Sequence, residues 1–465
     1  MLSLISLVGF RENSQCMEIS QQQLKQKYDR IKQSGLDSLF IHPKDVYAFI
    51  DVLMSAHSNN ESPAEINQVG RSFLEKPIYK IALGSGSINI FIWSQMHGDE
   101  SAATASLFDL INYTLSPENK DWFDSWRDTI TLHIVPMLNP DGAELEQRVN
   151  AQGIDINRDA KAGQTPEGRL LLSLADDIKP LFGFNLHSQN RFYTVGNSDK
   201  SAVISLLAPA YNDTNETNES RKTAKQLICV INQAIQQQYP HHVGRYDDTY
   251  SSRSFGDLFS AKGISTILIE SGYFKNDQTR QIPRWLTFLS IVESINAINE
   301  QNYTKESLDN YDAIPFNNED GLVDLLLTNL LVDEDYKVDI AINYDDFFKN
   351  GVVDSIGDLS TISGMRSIDM QSYKMQSMKG YSLEEELILT TKTYLDLLKK
   401  GFCYFLGDES LLNNNIKFPV TFNPQKVNNK TELKQPANFL FSKNGKMALA
   451  IIEGIVIDLE SITNE

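Results

Sequence analysis

The sequence predicts an α/β fold, and three observations carry that expectation. From residue 77 to residue 299, short apolar runs alternate with longer segments of helical periodicity. Strands that alternate with helices imply a sandwich around a largely parallel or mixed sheet. The residues with chemical potential, His97, Asn139, His187 and Glu270, each stand at or just past the end of a predicted strand. That is the edge of an α/β sheet where ligands bind.

The elements follow in order. Residues 17–34 read as a polar helix, with Ile19, Leu24, Tyr28 and Ile31 at helical spacing. Residues 78–83 and 88–96 read as strands joined by the Gly84-Ser85-Gly86 turn. A helix over 101–113 precedes a strand over 129–138, which runs into Asn139-Pro140-Asp141-Gly142, a turn signature. Residues 166–178 form a predicted helix with proline at its start, and 181–187 a strand. The polar stretch 211–218 reads as a loop before a long helix over 219–238. An apolar strand over 265–270 and a helix over 283–299 close the series.

After residue 301 the character changes. Residues 302–320 are polar and read as a linker. The remainder contains no histidine and ends in two β-like runs, 438–442 and 447–457, around Lys443-Asn444-Gly445-Lys446. An Asn-Gly pair between apolar runs is a strong hairpin signal. The expected organisation is an N-terminal helical extension (1–36), a main domain (37–301), a linker (302–320) and a smaller α+β accessory domain (321–465). The last is expected to pack on the main domain and stabilise it.

A chain of 465 residues with 41% apolar residues can bury two or three cores. Its formal net charge of −19 repels phosphate backbones, which argues against a nucleic-acid partner. Cys16, Cys229 and Cys403 are far apart and form no CxxC pair. That disfavours a thiolate zinc site and a disulfide framework, and fits a reducing compartment. The apolar run at 2–10 is too short to span a membrane and lacks a preceding basic residue and a following small-residue cleavage site. A cytoplasmic location without a membrane span is therefore expected.

His97-Gly98-Asp99-Glu100 places an imidazole and a carboxylate three residues apart directly after a predicted strand. Side chains at i and i+3 across a helix start share a face and can reach one ion. A third imidazole from another strand end completes a set that leaves one position open, as catalytic zinc requires. His187 is the best placed histidine for that role. A bare HxxE arises by chance in a chain this long, so its weight comes from its company. A zinc hydrolase also needs a base and a stabiliser for the developing oxyanion. Glu270, at the end of an apolar strand, suits proton transfer to a leaving amine. The loop from Arg148 to Arg158 adds two arginines and two asparagines. One arginine could stabilise an oxyanion, and the other, with Asn157, could hold a substrate carboxylate through its planar fork.

These motifs resemble the zinc metallocarboxypeptidases related to carboxypeptidase A, in that family's order and over roughly residues 37–299. Val69-Gly70-Arg71-Ser72 and Lys76-Pro77-Ile78-Tyr79 are similar to the lead into the first strands. His97-Gly98-Asp99-Glu100 resembles the zinc-binding HxxE, and Asn139-Pro140-Asp141-Gly142 the NPDG turn. Residues 148–158 are similar to R-x-N-x-x-G-x-D-x-N-R, and Leu186-His187-Ser188-Gln189, with 192–196, resembles the third-ligand segment. Ile269-Glu270-Ser271-Gly272 resembles the segment of the catalytic glutamate.

The resemblance implies a mixed eight-stranded sheet flanked by helices and one zinc ion held by His97, Glu100 and His187. It implies Glu270 as general base and acid, and Arg148 as the group that steadies the oxyanion. Asn157 and Arg158 would grip the C-terminal carboxylate of a peptide or peptide-like substrate, and Tyr250 would close over it. Two features depart from the pattern or lie beside it. Asp159 follows Asn157-Arg158 where the family often continues with Asn-Phe-Pro, which bears on the grip on a carboxylate. Asp257 lies near the segment that lines the specificity pocket. The implied reaction is hydrolysis of a C-terminal amide bond. The alternative is a zinc deacylase of small N-acyl amino acids, of the aspartoacylase and succinylglutamate desuccinylase type.

Overall fold

The computed structural model describes residues 21–59, 62–332, 336–345, 349–425, 427 and 431–460. The apolar run at 2–10 and Cys16 lie outside the described residues. Helices α1 (Gln21–Ile31) and α2 (Pro43–Ser58) precede strands β1 (Glu65–Arg71), β2 (Pro77–Leu83) and β3 (Ile88–Trp93). Helices α3 (Ala102–Leu115) and α4 (Lys120–Trp126) lead to β4 (Ile130–Val135), and α5 (Pro140–Glu144) and α6 (Pro166–Ile178) to β5 (Phe182–Ser188). Short strands β6 (Thr194–Val195) and β7 (Ile204–Leu207) precede α7 (Glu219–Gln236) and β8 (Val243–Arg245). Helix α8 (Phe255–Ala261), strand β9 (Ser265–Ser271), and helices α9 (Gln281–Glu300) and α10 (Leu308–Asp312) follow.

Eight of these strands make one mixed sheet in the order β1-β2-β4-β3-β5-β9-β7-β8. The central pairs β4–β3, β3–β5 and β5–β9 are parallel, and β1, β2 and β7 enter antiparallel. Alternation along the strands sorts the two faces. Ile90 and Ile92 of β3, Phe182, Phe184 and Leu186 of β5, and Ile267 and Ile269 of β9 join the larger core, with α3, α7 and α9. Phe91 and Trp93 of β3 join the other core, with residues of α6 and α8. The same parity turns His187 and Glu270 away from the larger core. They are neighbours across the parallel β5–β9 pair, in register. At the opposite side, α1 docks through Tyr28, whose hydroxyl donates to Asp109 at 2.9 Å, beside the buried Asp109–Arg284 ion pair. Removing one partner of such a pair costs roughly 3–5 kcal/mol.

Residues 302–320, expected as a polar linker, are instead packed. Helix α10 buries Tyr311, and Ile314 follows it into the larger core. Strand β10 (Asn317–Asn318) pairs with β6. The polar composition hid this because two apolar residues are enough to seat so short a segment.

The C-terminal region is richer in strands than the α+β expectation. It contains β11 (Leu322–Val332), β12 (Tyr336–Asn343), β13 (Val352–Gly357), β14 (Ser363–Asp369), β15 (Lys374–Gln376), β16 (Lys379–Leu383) and β17 (Leu387–Leu389). Helix α11 (Thr391–Lys399) then leads to β18 (Phe402–Gly407), β19 (Leu412–Asn414), β20 (Phe439–Lys443), β21 (Lys446–Ile452) and β22 (Ile455–Asp458). Sheets β13-β12-β11-β14 and β15-β20-β21-β22 share a core of residues such as Leu325, Ile340, Phe439 and Ile451. The hairpin at Asn444-Gly445 forms, with φ of 52° and 77° at those residues. The expected run 447–457 is two strands, split where Glu453 and Gly454 take positive φ.

Candidate metal centre and substrate cavity

The turn that carries His97 and Glu100 is built by its neighbours. Strand β3 stops at Trp93 rather than at residue 96, and Gln95 takes a φ of 50° to start the turn. The Gln95 side chain donates to the Gly98 and Ile41 carbonyls at 2.9 and 3.1 Å. Asn139 donates to the Met96 carbonyl at 3.1 Å and accepts from the Gly142 amide at 2.9 Å. A Cβ on Gly98 would lie 2.0 Å from the Gly142 carbonyl carbon, so only glycine permits the two turns to touch. The NPDG turn is thus a buttress, and Asn139, fully buried, spends its amide on backbone.

Within this turn the His97 carbonyl accepts from the Glu100 amide at 3.2 Å, which brings both side chains to one side. His97 Nδ1 is 2.9 Å from Glu100 Oε1, and His187 Nδ1 is 2.9 Å from Glu100 Oε2. The two Nδ1 atoms are 3.2 Å apart. Ligand atoms of His97, Glu100 and His187 all lie within 4.8 Å of one another, the one such group among the described residues. Two buried imidazole nitrogens that face each other beside a carboxylate fit a cation. The donor types suit zinc and leave a further position open.

The surrounding charges agree with that fit. Burial works against ionised Glu100, but His97 and His187 hold its carboxyl well below the ordinary range. Burial also opposes protonated His97, yet the charge of Glu100 and the hydrogen bonds His97 donates to Asp155 and Glu100 lift it to about 9. Burial pushes His187 down. Asp155, which the sequence reading passed over, sits 3.0 Å from His97 Nε2. A carboxylate there fixes the ring and leaves Nδ1 facing the centre. Burial opposes ionised Asp155, but His97 and Arg148 hold its carboxyl below the ordinary range.

A cavity of about 640 Å³ opens on these groups and is also lined by Arg148, Asn157, Arg158 and Glu270. Burial, then the charge of Glu100, pushes the Glu270 carboxyl up to about 8, and its Oε2 has no hydrogen-bond partner. Arg148 is held by Asp155 at 3.1 Å and Glu100 at 3.2 Å. Asn157 accepts from the Phe255 amide at 2.9 Å, and its Nδ2 lies 3.5 Å from His187 Nε2. Arg158 donates to the Asn157 carbonyl at 2.8 Å.

Asp159 points away from the cavity. It is buried and accepts from the Gln164 and Thr165 amides and the Thr165 hydroxyl ahead of α6. It is not among the residues that line the cavity. Asp257 lines the cavity, accepts from the Ser251 amide at 3.1 Å, and is raised by burial to about 6. Tyr250 is not among the lining residues, whereas Tyr246 is. Burial and then the charge of Glu270 raise the Tyr246 phenol to about 12, which keeps it a neutral donor. Arg280 also lines the cavity and donates to the Gln189 and Ser271 carbonyls at 3.1 and 3.2 Å. The sequence held no periodic signal for Tyr246 or Arg280, because both sit in irregular segments.

Residues 46–266 match the family model described as zinc carboxypeptidase. Among curated proteins, carboxypeptidase M of Mus musculus is 28% identical over 142 residues, which is 27% of this chain and 31% of that protein. Murein peptide amidase A of Escherichia coli (strain K12) is 32% identical over 107 residues, 23% of this chain and 40% of that protein. The chain thus spans well under half the length of either relative. Among solved structures, a metallo-carboxypeptidase from Burkholderia cenocepacia is 16% identical with a TM-score of 0.45, over 56% of this chain and 71% of that one. Carboxypeptidase A from Helicoverpa armigera is 14% identical with a TM-score of 0.45, over 62% and 82%.

Proposed function

We propose that this chain, whose residues 46–266 carry the zinc-carboxypeptidase match, is a zinc-dependent peptidase that hydrolyses the C-terminal amide bond of a peptide or peptide-like substrate. The observation that carries the reading is one cavity that joins the His97–Glu100–His187 set to a buried, partnerless oxygen of Glu270. The two curated relatives described above are, by name, a carboxypeptidase and a peptide amidase, which agrees with amide hydrolysis. No helix among the described residues is long and apolar enough to cross a membrane.

His97, Glu100 and His187 would hold the ion. When bound there, zinc supplies a Lewis acid that polarises a carbonyl and acidifies water. Glu270 takes the proton of the attacking water as its oxygen bonds to the carbonyl carbon, and gives it to the amine nitrogen as the C–N bond breaks. Arg148, pinned by Asp155 and Glu100, presents its guanidinium to the oxygen that gains negative charge. Asn157 and Arg158 grip the C-terminal carboxylate of the substrate. Tyr246, rather than Tyr250, offers its hydroxyl to a bound substrate from the cavity wall.

Metal analysis of the purified chain, with a panel of peptides set against N-acyl amino acids, tests the reading. One zinc per chain and release of C-terminal residues are expected. Absence of stoichiometric zinc, together with hydrolysis that Glu270→Gln leaves unchanged, sinks it. Turnover confined to N-acyl amino acids makes the chain a deacylase instead.

A further inference from the structure

We propose that the C-terminal strand-rich region is a working part of the cavity: Arg191, Asp324 and Asn317 are positioning residues that hold the loop after His187 in place to receive substrate. The proposal rests on the hydrolase reading above and adds to it a duty for Asn317 and Asp324, which lie beyond the family match.

The loop that leaves β5 supplies Gln189, Asn190 and Tyr193 to the cavity wall. Part of its restraint comes from the main domain, where Gln189 Nε2 donates to the Ala202 carbonyl at 2.8 Å and the Ala202 amide to the Tyr193 carbonyl at 2.9 Å. The Gln189 amide donates to the Ser271 carbonyl at 3.1 Å, and Arg280 donates to the Gln189 carbonyl. From residue 191 onward, contacts from the C-terminal side join these. The Leu322 amide donates to the Phe192 carbonyl at 3.0 Å, and the Gly196 amide to the Phe316 carbonyl at 2.8 Å. Thr194 and Val195 pair with Asn318 and Asn317. A Cβ on Gly321 would lie 2.3 Å from Thr194 Oγ1, so the backbone of one region presses on the loop of the other.

At the centre stands a buried fork. Arg191 Nε donates to Asp324 Oδ1 at 2.9 Å and Nη2 to Oδ2 at 2.8 Å, with side chains 10% and 3% exposed. Asp324 Oδ2 also accepts from the Tyr344 amide at 2.8 Å, which fixes the carboxylate to its own sheet. The Arg191 guanidinium also lies 4.6 Å from the centre of the neighbouring Phe192 ring. A region that served only to cover apolar surface has no use for this pair. A buried ion pair gains little over an apolar contact of the same volume, but its bidentate geometry dictates orientation.

A second tie reaches deeper. Asn317 Nδ2 donates to Gln189 Oε1 at 3.2 Å and to Ser205 Oγ at 3.2 Å. Gln189 lines the cavity, and Ser205 is paired with Glu270 across β7 and β9. A side chain from beyond residue 301 thus ties the cavity wall to the strand beside Glu270. Neutralising Asp324 replaces the two-oxygen acceptor of the fork with an amide that cannot accept both guanidinium donors, and the loop relaxes with Asn190 and Tyr193 on it. Neither tie touches His97, Glu100 or His187, so metal content is expected to survive.

The test uses the full chain with Asp324→Asn and, as the milder change, Asn317→Ala. Zinc content, kcat, KM and amide hydrogen exchange over 188–196 are measured. The expected result for Asp324→Asn is one zinc per chain, exchange in the loop faster by about tenfold, and KM raised about tenfold with kcat nearly unchanged. Asp324→Glu restores part of the loss, and Asn317→Ala shifts the same quantities less. A folded, zinc-loaded variant with unaltered exchange and KM overturns the proposal. So does a loss of activity that only tracks the unfolded fraction. If Asp324→Asn does not fold, Asn317→Ala decides on the same readouts. If the unaltered chain hydrolyses nothing, the hydrolase reading fails, and loop exchange in the variants still decides whether the C-terminal region holds the loop.

Discussion

The corner of the cavity around Glu100 and the corner around Glu270 are built from the same residue type at the same depth. Both carboxylates are 8% exposed, and burial acts on both in the same direction. Yet Glu100 is held well below the ordinary carboxylate range, and Glu270 is pushed up to about 8. The neighbours decide. Glu100 faces two imidazoles at 2.9 Å, whereas the next influence on Glu270 after burial is the negative charge of Glu100 itself. One corner is preset as an anion, which suits the proposed cation. The other keeps its proton, and in the proposed role of base a divalent charge nearby would bring it into the ionised state that the role requires.

The largest effects should separate the two corners. His187→Ala removes one of the two imidazoles that hold Glu100 ionised, and elemental analysis should then find no stoichiometric zinc, with hydrolysis at background. Glu270→Gln should keep one zinc per chain and lower kcat by roughly 10²–10⁴-fold. If both variants lose zinc, or neither loses activity, the division of labour between the corners is wrong.

A smaller effect tests the support behind the first corner. Asp155→Asn keeps the shape of the group beside His97 Nε2 but removes its charge. Zinc affinity, measured by competition with a chelator, should fall by about 10–100-fold, while Glu270→Gln leaves it far less changed.

Much of this contrast was legible before any coordinates. Apolar residues at 182, 184 and 186, and again at 267 and 269, declare which way each strand faces. For His187 and Glu270 the sequence supplied only their place at strand ends; the shared face came from the structure, because Leu268 leaves the run before Glu270 without alternation. Only pairing could show that the two stand side by side, because register depends on how the strands meet. Asp155 was hidden for a different reason. A carboxylate in a polar loop has no period, and its role appears only when His97 arrives from residues far away in sequence. Asp159 was misjudged on the same ground: adjacency to Arg158 suggested the cavity, but the turn before α6 claimed its oxygens. The C-terminal fork was equally invisible, since Arg191 and Asp324 stand 133 residues apart and no local pattern pairs residues at that separation.

The last effect expected is a pH dependence of stability in metal-free protein. Glu270 rises from an ordinary value of 4.5 to about 8 in the folded chain. Between those values the folded state keeps a proton that the unfolded state has released. The contribution of this group is therefore complete below about 4.5 and is lost as pH rises through about 8. Glu100 acts in the opposite sense, and its contribution is lost only as pH falls below the ordinary carboxylate range. His97, raised from 6.5 to about 9, declines over part of the same window as Glu270, so the raw profile mixes the two. Glu270→Gln separates them, because the amide is neutral throughout. Thermal unfolding of the metal-free chain should lose ground to metal-free Glu270→Gln as pH climbs from 4.5 toward about 8. With zinc loaded, the gap between the two should shrink, since the added positive charge favours ionised Glu270. A metal-free difference that stays flat across the window would mean that Glu270 is ionised without the cation, and the two corners would then not differ in charge at all.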